Sequence, residues 1–259
     1  MTFAQTAWLG GLSGFTIYLG LPLGRMRALS ERARVALAMF AVGILMFIFV
    51  DILGQARDML AVAVTGLQQG KHSLGHLAVV TVLLLGGFLL GLAGLGVFER
   101  LSRERPDVER GTLRFGLLVA AAIGLHNLGE GLAIGVSARA GAVSLATVLI
   151  IGFALHNATE GFGIVGPLGN VTPSWRWLAL AGLIGGGPTF VGTLVGYQVH
   201  TEYVQLVFYA LAAGAILYVV GEIWNGMRRF GHRQIGLTLL SAGFAAGILT
   251  DLLVAYGGG

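Results

Sequence analysis

The chain has 259 residues, of which 56% are hydrophobic and only 11% are charged, and its net charge is +4. Soluble domains carry roughly 25% charged residues, so this chain has too few to cover a water-facing surface and is predicted to be an integral membrane protein. Because it contains no cysteine, disulfides, thiolate metal ligands and cysteine nucleophiles are excluded.

Eight apolar runs are each close to the roughly 20 residues that a helix needs to cross the hydrocarbon core. The whole chain, residues 1–259, is therefore predicted to form a single all-α transmembrane domain. The predicted spans cover approximately residues 5–24, 35–57, 74–98, 114–137, 142–165, 177–197, 203–227 and 235–256.

The loops between these spans divide the basic residues unevenly. Loops one, three, five and seven contain 13 arginines, whereas loops two and four contain two arginines and one lysine. By the positive-inside rule, the odd-numbered loops are cytoplasmic and the N- and C-termini lie on the outer side of the membrane. The predicted location is the plasma membrane or inner membrane of the cell.

The first three spans carry few chemical signals. "GLSG" (11–14) matches the G-x-S-G of intramembrane serine proteases, but with no paired histidine it indicates a packing patch of small residues. In the second span, Asp51 interrupts an apolar run, and Met46 either offers a thioether contact to a metal or fills the core. His72 and His76 lie at the outer end of the third span, where a pair of exposed polar residues is favoured over a metal-collecting site.

The fourth and fifth spans contain nearly identical phrases, "GLHNLGEG" (124–131) and "ALHNATEG" (154–161). A carboxylate at the middle of a membrane costs at least a few kcal/mol, so Glu130 and Glu160 indicate a pathway or a site rather than chance.

Spacing within these phrases has a definite geometry. Residues four apart share a helix face, so His126 stacks with Glu130, and Asn127 precedes the same glutamate by three. The same spacing recurs in the fifth span, at His156, Asn157 and Glu160. Spans joined by a short loop run antiparallel, so the two phrases can face each other. Imidazole, carboxylate and amide oxygen together suit Zn²⁺ or a similar ion, which predicts a two-metal site in the membrane.

The seventh span contributes another intramembrane carboxylate, Glu222. Under the predicted topology Asp51 lies in the outer half of the membrane and Glu222 near the cytoplasmic end. Carboxylates on either side of a tight site would provide successive weaker binding positions along an ion pathway.

These motifs resemble the ZIP family of divalent-metal transporters. The resemblance rests on the twin H-N-x-x-E-G phrases, on "GAILYVVGEIW" (214–224) in the seventh span and on "FVDILGQA" (49–56) in the second. It implies inverted three-helix repeats around a central helix pair, a plan common among transporters. It also implies a set of metal ligands: His126, Asn127, Glu130, His156, Asn157 and Glu160.

The chain departs from the family pattern in three places. Gly129 stands where the family has a proline before the fourth-span glutamate. The sixth-span stretch "GGGPTFVGTLVGY" (185–197) contains no carboxylate, and Gly187 or Thr189 takes the place of the family's glutamate. The third loop contains no histidine. The second metal site is therefore one carboxylate short of the family pattern.

The sequence thus predicts an importer of divalent transition-metal ions, with Zn²⁺ favoured and Fe²⁺, Mn²⁺ and Cd²⁺ as alternatives. The metal is the transported substrate, no resident cofactor is expected, and the chain is not predicted to be an enzyme. The alternatives are a membrane-embedded hydrolase with two metals, and a packing subunit whose polar residues only join helices. No nucleic-acid partner is expected, and the glycine-rich faces would support a homodimer.

Overall fold

The structure, a computed structural model, describes residues 1–25, 30–101, 108–141, 143–198, 201–227 and 231–258. A few further side chains inside helices, that of His156 among them, lie outside this description. All regular structure in the described residues is helical. The α-helices are α1 (Phe3–Phe15), α2 (Ile17–Gly20), α3 (Glu31–Gln68), α4 (Leu74–Leu101), α5 (Val108–Arg139), α6 (Val143–Val165), α7 (Trp175–Gln198), α8 (Glu202–Met227) and α9 (Arg233–Gly258).

Short 3₁₀ segments follow α2 at Leu21–Arg25 and α6 at Gly166–Leu168. If α1 and α2 are counted as one interrupted helix, the described residues contain eight helices, and the prediction of an all-α chain is confirmed. Among these residues, five helices are long and apolar enough to cross a membrane. Their apolar parts are Val35–Gln68, Leu74–Val97, Glu109–Arg139, Trp175–Gln198 and Glu202–Asn225. In α9 the apolar part, Arg233–Leu249, is shorter.

The first predicted span, 5–24, is not one continuous helix. α1 begins at a capping box in which the side chain of Thr2 accepts from the backbone N–H of Gln5, and it ends at Phe15. The hydroxyl of Thr16 donates to the carbonyls of Ser13, at 2.7 Å, and Ala154 of α6, at 2.6 Å. A hydroxyl that bonds the preceding turn locally disturbs a helix, and here it also ties the first span to α6.

The second predicted span, 35–57, is shorter than the helix that contains it. α3 has 38 residues and continues to Gln68, where Gly70, with a φ of +69°, terminates it. Arg57, the last residue of the predicted span, and Asp58 both lie exposed on the helix surface. Charged residues end a hydrophobic run without ending a helix, so the predicted boundary is too early.

The helices pack mainly in two groups. In one group, α5 packs against α6 and α7, and α1 packs against α6 and α7; in the other, α3 packs against α8 and α9, and α4 packs against α8. α5 and α7 form the closest pair because glycines lie at their interface: a Cβ on Gly131 would overlap the backbone of Thr189, and one on Gly192 would overlap that of Leu128. Small residues let helix backbones approach in this way, which brings α7 against the polar part of α5.

Candidate functional site

The two H-N-x-x-E-G phrases meet in the interior of the protein. His126, Asn127 and Glu130 of α5 are buried, as are Asn157 and Glu160 of α6, and Glu160 has no exposed surface. His156 lies on α6 within the same phrase, but its side chain is outside the described part of the structure. Close contact between α5 and α7 on one side and between α5 and α6 on the other encloses this cluster.

Asn127 of α5 hydrogen-bonds the side chains of Glu160 and Asn157 on α6. Asn127 Nδ2 lies 2.9 Å from Glu160 Oε2 and also hydrogen-bonds Asn157 Oδ1. In the opposite direction, Asn157 Nδ2 donates to Glu130 Oε2 over a longer 3.4 Å. Each motif therefore contacts the glutamate of the other, and the two phrases form one polar cluster.

His126 lies between the two glutamates. Its Nε2 is 3.2 Å from Glu130 Oε1, one turn along the same helix, and 3.9 Å from Glu160 Oε1. In each glutamate the Oε1 atom faces the histidine, whereas the Oε2 atom faces an asparagine. Each carboxylate thus places one oxygen on the histidine side of the cluster and the other on the asparagine side.

The cluster has an excess of acceptor oxygens. Among the described residues, no lysine or arginine is buried, whereas the carboxylates of Glu130 and Glu160 are. Asn127 Oδ1 is also buried, and it has no hydrogen-bond partner among those residues. Buried carboxylates are costly unless a cation or a proton compensates them, and these surroundings suit a cation. No three described His, Asp or Glu side chains converge closely enough on one point to hold a metal ion without some movement.

A backbone carbonyl of α7 completes the surroundings of Asn127. Asn127 Nδ2 lies 3.0 Å from the carbonyl oxygen of Gly185. Pro188 lies inside the continuous α7 and has no N–H, so it cannot donate to the carbonyl of Ile184, the residue before Gly185. This role of Gly185 was not predicted from the sequence. No residue type in this stretch marks the carbonyl of Gly185, because Pro188 removes the helical donor of Ile184 and not that of Gly185.

Two positions that depart from the family pattern have specific neighbours. A Cβ on Gly129 would overlap the ring of Tyr209, so this tyrosine occupies the space beside the motif. Tyr209 is buried and its hydroxyl accepts from Gln205 Nε2 at 2.8 Å. Thr189 is buried with its side chain against Gly14 of α1.

The residues predicted to line a pathway differ in their surroundings. Asp51 is half-buried on α3, where it accepts a hydrogen bond from Gln55 Nε2 at 2.8 Å, and it lies close enough for its charge to act on Glu130. Met46 is half-buried and packs against the hydrophobic core. Glu222 is exposed on α8, away from the cluster. The structure therefore brings Asp51, but not Glu222, near the two motifs.

Comparison with known proteins identifies the family. The profile described as "ZIP Zinc transporter" matches residues 99–221, which contain both motifs. The chain is 31% identical to the zinc transporter ZIPB of Bordetella bronchiseptica, in an alignment that covers 95% of this chain and 80% of that protein. It is 25% identical to the zinc transporter ZupT of Chlorobium chlorochromatii, over 83% of this chain and 84% of that protein.

The similarity to ZIPB extends over nearly the whole chain, and the family profile covers the part that carries the polar cluster. This membership makes the chain a transporter and not an enzyme, so the hydrolase interpretation is wrong. The long apolar helices agree with a multi-pass membrane protein. The chain belongs to the ZIP family of zinc transporters.

Proposed function

We propose that the protein imports divalent transition-metal ions, Zn²⁺ above all, through the buried cluster formed by the twin motifs. The observation that carries this proposal is the pair of buried carboxylates, Glu130 and Glu160, with no buried lysine or arginine among the described residues. A divalent cation would offset the electrostatic cost of burying both. Imidazole, carboxylate and amide ligands favour transition metals over Mg²⁺ or Ca²⁺, so Fe²⁺, Mn²⁺ and Cd²⁺ are the competing substrates.

The orientation of the two glutamates supports a site for two ions. The Oε1 atoms lie on the side of His126, and the Oε2 atoms lie on the side of the asparagines. One ion would bind between His126 and both Oε1 atoms, with His156 as a further ligand. The other would bind between Asn127, Asn157 and both Oε2 atoms. Both glutamates would bridge the ions, as the spacing of the motifs predicts.

The two ion positions would differ in strength. The histidine side offers an imidazole nitrogen, which binds Zn²⁺ more firmly than an amide oxygen does. The asparagine side gains no third carboxylate from α7, because the stretch at residues 185–197 contains none. We therefore assign the tighter site to His126, and the weaker site to the asparagines.

The predicted architecture of inverted repeats rests on family membership. The first three spans and the last three would be related by a two-fold axis near the central pair, α5 and α6. The helices of the first three spans pack directly against those of the last three: α1 packs on α7, α3 packs on α9 and α4 packs on α8. The homodimer also stays a prediction. Gly86 and Gly94 on the largely exposed α4 have open space beside them, as a helix contact would require.

Uptake into proteoliposomes tests the proposed function. Vesicles loaded with a zinc-sensitive dye should respond to external Zn²⁺ when they contain the wild-type protein. They should respond far less with Glu130→Gln plus Glu160→Gln, which keep the side-chain shape but remove both charges. Asp58→Asn is the matched control, because Asp58 is an exposed carboxylate on α3 and should leave uptake unchanged. Normal uptake by the double glutamine variant would refute the proposal.

A further inference from the structure

Two histidines and a carboxylate meet at the end of the protein where α3 leads into α4 and where α8 begins. His72 lies in the turn before α4, His76 is in the first turn of α4, and Glu202 and Tyr203 open α8. The centroids of the two imidazole rings are 4.3 Å apart. Because α4 and α8 pack along each other, three elements of the chain contribute to this outer cluster, which we define as His72, His76 and Glu202.

The turn after α3 fixes the position of His72. Its backbone N–H, two residues after the left-handed Gly70, donates to the carbonyl of Gly66 at 3.0 Å. The imidazole packs against Gly66, where any larger residue would overlap it. Its Nδ1 atom is buried and has no hydrogen-bond partner among the described residues. His72 also lines an open cleft of about 370 Å³, through which a small ion can approach.

His76 is oriented as metal-binding histidines are. Its Nδ1 hydrogen-bonds the hydroxyl of Tyr203 at 2.7 Å, which directs Nε2 toward Glu202. Metal-ligating histidines nearly always use their second ring nitrogen in such a bond. His76 Nε2 lies 3.8 Å from Glu202 Oε1, which is too long for a hydrogen bond. Two ligand atoms on one tetrahedral Zn²⁺ are separated by about 3.4 Å, so a small movement would place an ion between them.

The chemistry of the outer cluster selects the class of ion. Two imidazoles and a carboxylate, with a water as fourth ligand, form a common Zn²⁺ ligand set, whereas Mg²⁺ and Ca²⁺ prefer oxygen ligands alone. The three side chains do not converge on a single point in the described structure. The side chain of Glu202, 53% exposed, has room to rotate toward the histidines. The exposed Lys71 beside His72 opposes cation binding, but water and salt screen its charge.

We propose that His72, His76 and Glu202 form a second binding site for divalent transition metals, with Tyr203 as the residue that positions His76. This site is separate from the buried polar cluster of the two motifs on α5 and α6, which we call the central cluster. The site lies at the predicted outer end, so it would capture ions before they reach the central cluster. Metal binding here does not depend on the central cluster. The capture role does rest on the proposed transport function.

Cobalt binding tests the site itself. Co²⁺ in a low-symmetry site with nitrogen ligands absorbs visible light. Full-length protein carrying Glu130→Gln and Glu160→Gln, which weaken the central cluster, should bind one Co²⁺ at the outer cluster, and His76→Ala should abolish this signal. His232→Ala is the matched control, because His232 lies at the opposite end of the protein and its loss should leave the signal intact. Failure of the background protein to bind Co²⁺, or binding that survives His76→Ala, would overturn the proposal.

Tyr203→Phe separates a positioning role from a packing role. The phenylalanine preserves the ring but removes the hydroxyl that holds His76, so Co²⁺ affinity should fall about 10- to 100-fold with elution on gel filtration unchanged. Unchanged affinity would refute the role of Tyr203.

Uptake measurements test capture separately. With the central cluster intact, His72→Ala plus His76→Ala should raise the Zn²⁺ concentration for half-maximal uptake and leave the maximum rate unchanged. If both uptake parameters match wild type while the outer cluster binds Co²⁺, the site exists and the capture role is wrong. If wild-type protein binds Co²⁺ at the outer cluster but transports nothing, the proposed function fails and the site stands.

Discussion

Asn127 and Asn157 occupy the same place in two copies of one motif, and their contacts differ. Asn127 Nδ2 faces Glu160 of α6 and the carbonyl of Gly185 in α7. Asn157 Nδ2 donates at 2.7 Å to Phe153 of its own helix, and reaches Glu130 only at 3.4 Å. The α5 copy therefore ties three helices together, whereas the α6 copy is held mainly by its own helix. Two copies of one motif can thus make different contacts, and only the α5 copy links three helices.

Substitutions of the two glutamates should affect Zn²⁺ uptake alike in both copies of the motif, and these should be the largest effects. Glu130→Ala and Glu160→Ala each remove a carboxylate from both proposed ion positions. Uptake of Zn²⁺ by proteoliposomes should fall by more than the roughly 10- to 100-fold that loss of a residue orienting a ligand costs. Near-normal uptake by either variant would show that only one copy of the motif carries the ion.

The asparagines are where the copies should differ. Asn127→Ala removes the contact with Glu160 and the link to Gly185 together, so Zn²⁺ affinity should fall about 10- to 100-fold. Asn157→Ala loses a bond within α6 and a long contact with Glu130, and its effect should be severalfold smaller. Competition with a coloured chelator measures both affinities. Equal losses in the two variants would contradict the unequal roles inferred from the contacts.

The glycine that ends each motif tests how tightly the two copies are packed. A Cβ on Gly131 would overlap the backbone of α7, and one on Gly161 would overlap the backbone at Ile17 and Gly20. Gly131→Ala and Gly161→Ala should each destabilise the protein by about 1–3 kcal/mol. Thermal unfolding in detergent measures the change.

Gly163 provides the matched control on α6. A Cβ there would meet its nearest neighbour, Ile123, at 3.5 Å, an ordinary van der Waals distance. Gly163→Ala should therefore be neutral or stabilising by up to about 1 kcal/mol. Because alanine favours the helix over glycine, a loss of stability equal to that of Gly161→Ala would show that overlap with a neighbouring backbone is not what makes Gly161 intolerant of a side chain.

The two predicted pathway residues outside the cluster, Asp51 and Glu222, should show the smallest effects. Asp51 is half-buried and acts electrostatically on Glu130, so Asp51→Asn should raise the Zn²⁺ concentration for half-maximal uptake severalfold. Glu222 is exposed on α8, near the predicted cytoplasmic end of the pathway, so Glu222→Gln should slow release and lower the maximum rate without changing the half-saturating concentration. Initial rates at several Zn²⁺ concentrations separate these parameters. A higher half-saturation with Glu222→Gln would contradict the assigned order along the pathway.

Much of the central cluster could be predicted from the sequence, because a repeated phrase on two antiparallel helices brings its polar residues together. The carbonyl of Gly185 could not, since a backbone acceptor has no side chain to reveal it and its position depends on the packing of α7 against α5. The break at Thr16 was also missed, because its hydroxyl reaches Ala154, far away in the chain. The end of α3 was misplaced because hydropathy marks where lipid contact stops, and not where helical hydrogen bonding stops.

The close packing of α5 against α7 has a consequence for engineering a more robust form of this protein. Replacing helical glycine by alanine commonly adds about 0.5–1 kcal/mol of stability, but positions such as Gly192 and Gly196 are closed to this strategy because a neighbouring backbone already fills the space. The open helical glycines are suitable for it instead. These are Gly54, Gly86, Gly94, Gly111 and Gly221, beside which no atom lies within 4 Å. Combining alanines there would rigidify the outer surface of the bundle and leave the buried polar cluster of the two motifs untouched.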